Sequence, residues 1–257
     1  MTINSVHDRA ELAELLSRDL ALHAYELGDL DDFFWPYTTW YRHGDSVALL
    51  YHGSDPPTLL ALDRPEHADR LAALVDGLLP LLPVRCHAHL SPGAESRLAD
   101  RFAVESHGPH LKMALTDPDR LPPADPAAVV LSAADLPELL PLYAAAYPGN
   151  WFDPRMLGTG QYVGVRRDGE LLAVAGVHVW SPGYRVAALG NVTSHPRVRG
   201  QGLARAAVAT LCRRLLGTVQ RVALNVRADN ERAVALYTGL GFTPVAEYGE
   251  FSLTARG

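Results

Sequence analysis

Two glycines lie two positions apart where an extended stretch gives way to a helix, in the segment VTSHPRVRGQGLARAAVATL, residues 192–211. The first backbone N–H groups of a helix have no partner inside the helix and carry a partial positive charge, so they attract anions. Gly200 and Gly202 lack the Cβ atoms that would keep a ligand away from this backbone. These features suit a phosphate-binding loop before the helix, but for the two glycines alone an ordinary basic turn is the favoured interpretation.

Two common glycine-loop chemistries do not fit this segment. A dinucleotide-binding loop has the spacing G-x-G-x-x-G, but the third residue after Gly202 is Arg205. A Walker loop requires a lysine directly after its last glycine, and the single lysine of the chain, Lys112, lies elsewhere. The sequence therefore predicts neither of these nucleotide sites.

A second group of polar residues lies in the segment LNVRADNERAVALYTGLGF, residues 224–242. Asn225 falls in a predicted strand, and Asn230 precedes a predicted helix, where an asparagine side chain caps the backbone. Tyr237 lies about two turns further on and carries a phenol that can donate a proton. The alternative for Tyr237 is a packed core residue, because it shares a helix face with Leu240.

The hydrophobic pattern predicts the elements that position these residues. The helix after the glycine loop is expected to pack on a sheet, because its apolar residues form one stripe: Ala204, Val208, Leu211 and Leu215. Around it the pattern predicts a strand, a helix, a hairpin with Asp-Gly at its turn and further strands and helices. The first half also alternates helices with short strands, including an antiparallel pair formed by SVALLYH and PTLLAL.

A proline-rich segment separates the two halves. The segment TDPDRLPPADPA, residues 116–127, contains four prolines and three aspartates, so it has little to bury and lacks several backbone donors. We therefore predict a first domain at residues 1–115, a linker at 116–127 and a second domain at 128–257.

The composition excludes several classes of partner. The formal net charge is −6 and no arginine-rich run occurs, so no nucleic-acid partner is expected. No run of about 18 apolar residues occurs and the start MTINSVHDRAELAELL lacks a secretion signal, so we expect a cytoplasmic protein without a membrane partner. Cys86 and Cys212 show no C-x-x-C spacing, so neither a disulfide framework nor a zinc site is predicted.

The two motifs together resemble the GNAT acyltransferase superfamily. RGQGLA, residues 199–204, fits the family loop R/Q-x-x-G-x-G/A, and the segment with Asn230, Tyr237 and the closing LGF resembles the family's second signature. The phrase GNVTSHPRVRGQGLA is also similar to the family's strand, proline and loop passage. The resemblance implies an α/β (α+β) fold with a mixed, mostly antiparallel sheet flanked by helices. The first half is compatible with a degenerate second copy, as in tandem GNAT proteins, or with an unrelated α/β cap.

The resemblance also implies how the co-substrate binds. The backbone of the loop would hold the pyrophosphate of acetyl-CoA or another acyl-CoA, through Arg199, Gly200, Gln201, Gly202, Leu203 and Ala204. Backbone groups near Asn191, Val192 and Thr193 would pair with the pantetheine arm, and the N–H of Val192 or Thr193 would receive the thioester oxygen. Asn225 would contact the pantetheine arm and Asn230 the cofactor region.

The implied reaction is attack by a neutral amine on the thioester, followed by departure of the CoA thiolate. Tyr237 matches the position of the family's usual general acid. The strand VAALGNVTS contains no glutamate, where many relatives place the base, so the base stays open among His178, Glu247, Glu250 and a base acting through water. For His178, which alternates with valines in a strand, a packed histidine is the other interpretation.

Two further groups have weaker signals. Trp151 and Phe152 lie in YPGNWFDPRMLGTG, which by resemblance covers the acceptor site, although an aromatic pair also fits ordinary packing. His87 and His89 alternate on one strand face without a nearby carboxylate pattern, so we expect solvent or interface positions and no metal.

These observations predict an acyl-CoA-dependent N-acyltransferase, with acetyl-CoA as donor and a small-molecule or peptide amine as acceptor. The alternative is a non-catalytic acyl-CoA-binding regulator, which the missing strand glutamate favours and Tyr237 disfavours. The loop identifies the donor and carries no information on the acceptor or on the oligomeric state.

Overall fold

Helices and strands alternate along the chain in the computed structural model, which describes residues 3–257. The helices are α1 Arg9–Leu16, α2 Ala24–Gly28, α3 Ala68–Leu78, α4 Leu136–Ala146, α5 Leu203–Leu215 and α6 Glu231–Gly239. The strands are β1 Asn4–Val6, β2 Thr38–His43, β3 Ser46–Tyr51, β4 Thr58–Ala61, β5 Arg85–Leu90, β6 Phe102–Leu115, β7 Ala128–Val130, β8 Val163–Arg167, β9 Glu170–Ser181, β10 Val186–Ser194, β11 Arg221–Arg227 and β12 Phe242–Ala255. Among these described residues, no helix has the length and apolar character needed to span a membrane.

The chain divides into two compact units that differ from the predicted domains. The first unit contains residues 3–113, Val226–Glu231 and Pro244–Gly257, and the second contains Ala114–Asn225 and Arg232–Thr243. The last strand therefore belongs to the first unit, whereas the sequence predicted it as part of a second domain at 128–257. The physical reason is strand pairing, because β12 pairs antiparallel with β5 over six residues.

The first unit is a mixed sheet with the strand order β1-β2-β3-β4-β5-β12-β6. Strands β1 to β4 pair antiparallel with their neighbours, including the predicted pair β3 and β4, and β4 then pairs parallel with β5. Helix α3 forms the crossover between the two parallel strands, and its apolar side chains enter the buried core: Leu71, Leu74, Val75 and Leu78. A helical crossover is the connection that a parallel pair requires.

The second unit repeats this arrangement. Strands β7, β8, β9 and β10 pair antiparallel in order, and β10 then pairs parallel with β11 through the crossover helix α5. The predicted stripe on α5 is buried at Val208, Leu211 and Leu215. Each unit thus has three antiparallel pairings followed by one parallel pairing, which is the mixed, mostly antiparallel fold predicted in two copies.

The predicted linker lies within the second unit. Leu121 is buried, and Arg213 on α5 donates from Nε to the carbonyl of Pro122 over 2.6 Å. The N–H of Asp125 also donates to Thr210 on α5 over 3.2 Å. Proline-rich backbone keeps its carbonyl acceptors although it loses N–H donors, and arginine binds those acceptors. Residues 116–127 are therefore a strap packed along α5.

Candidate active site

The glycine loop has the backbone of an uncapped helix start. A short turn at Pro196–Val198 leads into the loop, and Gly200 and Gly202 have φ of +81° and +80°. Both values lie in the left-handed region that favours glycine, and no described atom lies within 4 Å of where their Cβ atoms would be. The backbone conformation of the loop therefore favours glycine at both positions. The space in front of the loop is also open.

The helix after the loop presents free donors. Gly202 is the N-cap of α5 and provides no side-chain cap, and the first bond inside the helix runs from the N–H of Ala206 to Gly202 over 3.0 Å. The N–H groups of residues 203–205 therefore have no acceptor inside the helix. Side chains hold the loop from outside, because Arg199 donates to the carbonyl of Ala146 and Gln201 accepts from Arg167. The arrangement suits an anion bound by main-chain donors.

The counterpart of this loop in the first unit has no such features. After β4 the chain passes through a turn at Pro65–His67 and enters α3 directly at Ala68, with no glycine between. Glu66 lies in this turn and Asp69 in the first turn of α3. Their carboxylates would repel an anion at this helix start. Of the two parallel crossovers, the one in the second unit is the better suited to bind an anion.

Strands β10 and β11 separate next to the glycine loop. They pair from Val186 opposite Arg221 to Leu189 opposite Leu224, and β10 continues without this partner to Ser194. Backbone groups of β10 beyond Leu189 are therefore open on the side that faced β11. A ligand chain can pair with this free strand edge.

A bulge in β10 lies in the same place. On its other side β10 pairs with β9 at Gly190 opposite Gly176 and next at Thr193 opposite Val174, so Asn191 and Val192 lie in a shift of register. Asn191 has φ of +55°, an uncommon backbone conformation for a residue with a side chain. The bulge turns the main chain of the predicted acyl site out of the regular sheet.

Buried hydrogen bonds hold the bulge. The hydroxyl of Tyr143 on α4 donates to the carbonyl of Asn191, and Asn191 Nδ2 donates to the hydroxyl of Tyr162, each over 3.1 Å. Tyr162 in turn donates to the carbonyl of Val177 over 3.1 Å. Burial raises the pKa of Tyr143 and Tyr162, so both phenols stay protonated and able to donate. The sequence did not single out either tyrosine.

Two asparagine side chains have unused acceptors. Within residues 3–257, Asn191 Oδ1 and Asn225 Oδ1 are buried and accept no hydrogen bond. Asn225 lies on β11 at the first position past the paired segment, where the sequence predicted contact with the pantetheine arm. A buried acceptor without a partner is costly, so an amide N–H from a ligand fits there. Asn230 directly precedes α6 and is exposed.

Tyr237 is buried on α6. Its ring packs edge-on against Phe242 with the centroids 5.8 Å apart. Burial, with smaller effects from Tyr147 and Cys212, raises the pKa of Tyr237. The phenol therefore carries its proton at neutral pH, as a general acid must.

The base candidates occupy different places. His178 lies on β9 with its ring directly against Gly190, where a Cβ atom would come within 2.1 Å of the ring. Glu247 is exposed. Glu250 lies in the first unit, 3.5 Å from His89 and 3.5 Å from His110, and accepts from Tyr248 over 2.8 Å.

The weaker candidates are also placed. Phe152 packs on Tyr143 and Tyr162, with ring centroids 4.9 and 5.7 Å apart, whereas Trp151 is 55% exposed. His87 and His89 lie in the first unit, and no group of three or more metal-ligating side chains in residues 3–257 is arranged to hold a metal ion. The thiols of Cys86 and Cys212 are free and buried.

Part of the second half of the chain is similar to a known protein family. A sequence model of the Acetyltransferase (GNAT) family matches residues 131–242. The chain is 26% identical to a crystallised putative GNAT acetyltransferase from Novosphingobium aromaticivorans, with a TM-score of 0.56, covering 77% of this chain and 84% of that one. A tandem GNAT protein from the clavulanic acid biosynthesis pathway shares the fold at 17% identity and a TM-score of 0.54, covering 100% of this chain and 99% of that one.

A curated relative matches a shorter region. The mycothiol acetyltransferase of Beutenbergia cavernae is 34% identical over 105 residues, which cover 40% of this chain. The match spans about a third of that relative, 33% of its length. The glycine loop, the separated strands and the buried tyrosine all lie within residues 131–242, the region that is similar to the GNAT acetyltransferase family.

Proposed function

We propose that this protein transfers an acyl group, with acetyl as the main case, from acyl-CoA to an amine by direct attack. The observation that carries the proposal is the separation of β10 from β11 after Leu189, beside an uncapped helix start. The start of α5 would bind an anion, and β10 beyond Leu189 offers a strand edge without a partner strand. Together they suit a thioester attached to a long phosphorylated arm.

The residues present fit acyl-CoA. The first N–H groups of α5 and the two left-handed glycines face open space that a pyrophosphate would fill. The unpartnered Oδ1 of Asn225 would accept from an amide N–H of the pantetheine arm. The bulge at Asn191 and Val192 would aim a backbone N–H at the thioester oxygen.

The chemistry follows from these positions. The neutral amine attacks the thioester carbon, and the oxygen becomes negative and is stabilised by the N–H of Val192 or Thr193. The C–S bond then breaks, and the thiolate takes the proton of Tyr237, whose raised pKa keeps the phenol protonated until that step. The products are an amide and free CoA.

We propose an amine acceptor of small-molecule or peptide type. The name of the curated relative associates that protein with mycothiol, and the match covers a third of it, so it supports acetyl transfer more than any one acceptor. The absence of a carboxylate from β10 favours the second candidate, an acyl-CoA-binding regulator without turnover.

A panel of amines separates the two candidates. Purified protein would be incubated with acetyl-CoA and small amines, amino acids, aminoglycosides or peptides with free N-termini, and acetylated products would be measured by mass spectrometry. We expect at least one amide product that is lost in Gly202→Val. Tight binding of acetyl-CoA without product from any amine would favour the regulator.

A further inference from the structure

We propose that His178 is the general base that removes a proton from the acceptor amine, an inference that rests on the proposed acyl transfer. His178 is the extra residue in a bulge of β9, because Val177 pairs with Leu189 and Val179 pairs with Ala188. Residues 171–177 of this central strand are all buried, whereas His178 is partly exposed. The imidazole therefore reaches solvent from a position inside the sheet.

The ring lies beside the predicted acyl site. It packs against Gly190, the residue directly before the bulge at Asn191, and a Cβ atom on Gly190 would lie 2.1 Å from the ring. Any larger residue at this position would displace the imidazole. The glycine therefore gives the histidine its place next to the main chain that would hold the thioester.

His178 also shares a face of the sheet with the tyrosines that hold the bulge. Gly190 and Gly176 are a pair across β10 and β9, and paired residues direct their Cβ atoms to the same side. The Cβ direction of Gly190 meets His178, and that of Gly176 meets Tyr162. Phe152 packs on both Tyr162 and Tyr143, so Tyr143, which donates to Asn191, lies near Tyr162. An amine that approaches the bulge along this face meets the imidazole.

Three titratable groups near this site, Tyr143, Tyr162 and Asp153, do not change charge near neutral pH. Burial raises the pKa of Tyr143 and of Tyr162. Burial alone would raise the pKa of Asp153, but hydrogen bonds from Arg155 outweigh it and lower that pKa. Histidine is the side chain most often used to accept a proton in catalysis, which makes His178 the base candidate beside the bulge.

The step balances in protons and electrons. The acceptor ammonium gives one proton to the neutral imidazole, and the freed nitrogen lone pair forms the C–N bond. The C–S bond breaks, its electron pair leaves on sulfur, and the thiolate takes the proton of Tyr237. The attacking nitrogen carries a positive charge and one surplus proton in the adduct, and it gives that proton to solvent as the C–S bond breaks. The imidazolium also loses its proton to solvent, and Tyr237 regains one from solvent. The net reaction consumes an ammonium and a thioester and yields an amide, a thiol and one proton.

The test uses full-length protein and the amine that gives the highest turnover in the panel. His178→Phe keeps an aromatic ring against Gly190, His178→Gln keeps a polar side chain, and His7→Phe on the exposed first segment is the matched control. Measurements are kcat/KM from pH 6 to 10, acetyl-CoA affinity by calorimetry, and rescue of His178→Ala by added imidazole.

We expect His178→Phe and His178→Gln to lose about 10²- to 10⁴-fold in kcat/KM at pH 7, as is typical when a general base is removed. Their affinity for acetyl-CoA should be unchanged. The defect should shrink toward pH 10, where the amine loses its own proton, and imidazole should restore part of the activity. Wild-type pH profiles in both variants, or a uniform loss at every pH without rescue, would overturn the assignment. If the wild type binds acetyl-CoA but acetylates no amine, the proposed function fails first.

Discussion

The hydroxyl of Tyr143 donates a buried hydrogen bond to the main-chain carbonyl of Asn191 over 3.1 Å. It joins α4 to the one residue of β10 that has a positive φ, +55°. The left-handed conformation of Asn191 costs energy, and it persists because surrounding contacts determine it. The geometry of the acyl site thus depends on a residue from another element.

Replacing Tyr143 with phenylalanine is expected to disturb the bulge while the ring packing stays. The buried carbonyl of Asn191 would lose this donor, which should lower the free energy of unfolding by about 1 to 2 kcal/mol. Turnover should fall more than acetyl-CoA affinity, because the misplaced groups are those nearest the thioester. Urea denaturation and steady-state kinetics check this, with Tyr184→Phe at a turn as the control. Unchanged kcat in Tyr143→Phe would show that the bulge forms without the bond.

Replacing Tyr237 with phenylalanine tests the general acid. The ring and its contact with Phe242 are kept, so acetyl-CoA affinity should hold while kcat falls about 10²- to 10⁴-fold. Single-turnover transfer across a pH series separates the chemical step from product release. Wild-type rates at every pH in this series would make Tyr237 a packing residue and leave the thiolate to be protonated by another donor.

Replacing Gly202 with valine tests the loop backbone. At φ of +80° a β-branched residue is strongly disfavoured, so the loop should change conformation and acetyl-CoA should bind at least about tenfold more weakly. The fold should remain, because the loop is exposed. Gly183→Ala is the matched control, since that glycine is exposed and is not among those with positive φ. Equal affinities of the two variants for acetyl-CoA in calorimetry would contradict a backbone cradle.

Breaking a buried ion pair in the first unit should be strongly destabilising. Lys112 Nζ lies 3.6 Å from Glu26 Oε2, with side-chain exposures of 2% and 4%. Burial alone would raise the pKa of Glu26, but Lys112 and His23 outweigh it and lower the pKa to about 2. Glu26→Gln leaves the buried ammonium of Lys112 without its ion-pair partner, so a loss of about 3 to 5 kcal/mol at pH 7 is expected.

The same pair sets a pH dependence with a defined sign. Because the folded pKa of Glu26 is depressed, its stabilisation is present above pH 4.5 and is lost as the pH falls toward 2. Urea denaturation of the wild type should show this loss of unfolding free energy at low pH. In Glu26→Gln, the dependence of unfolding free energy on pH should be smaller by the uptake of one proton. Glu11→Gln, in a partly exposed pair with Arg42, is the control and should change stability by less than about 1 kcal/mol. A similar small change in Glu26→Gln would contradict the prediction.

The sequence predicted what depends on short-range pattern. The loop, the stripe on α5 and the antiparallel pair β3 and β4 follow from periodicity and spacing. The mixed fold and its second copy were expected from the family resemblance. The place of β12 does not, because its pairing with β5 joins residues more than 150 positions apart and its alternation fits either unit. The strap at residues 116–127 was also missed, since its contacts use backbone carbonyls that composition does not reveal.

The same limit applies inside the site. Gly200, Gly202 and Tyr237 were visible because a family spacing marks them. Tyr143 and Tyr162 were not, because a tyrosine in an apolar helix or beside a strand has no local signal for a hydrogen bond to a distant bulge. Gly190, directly before the bulged Asn191, was the one available hint of close packing.

The stoichiometry of acetyl-CoA binding tests the central claim most directly. Only the crossover of the second unit has the glycine loop, whereas the first unit enters α3 through Glu66 and Asp69. Isothermal titration of the full chain should therefore give one acetyl-CoA bound per chain, with no heat from NAD or ATP at the same concentrations. Two sites per chain, no binding, or equal binding of ATP would contradict an acyl-CoA site confined to the loop at residues 199–204.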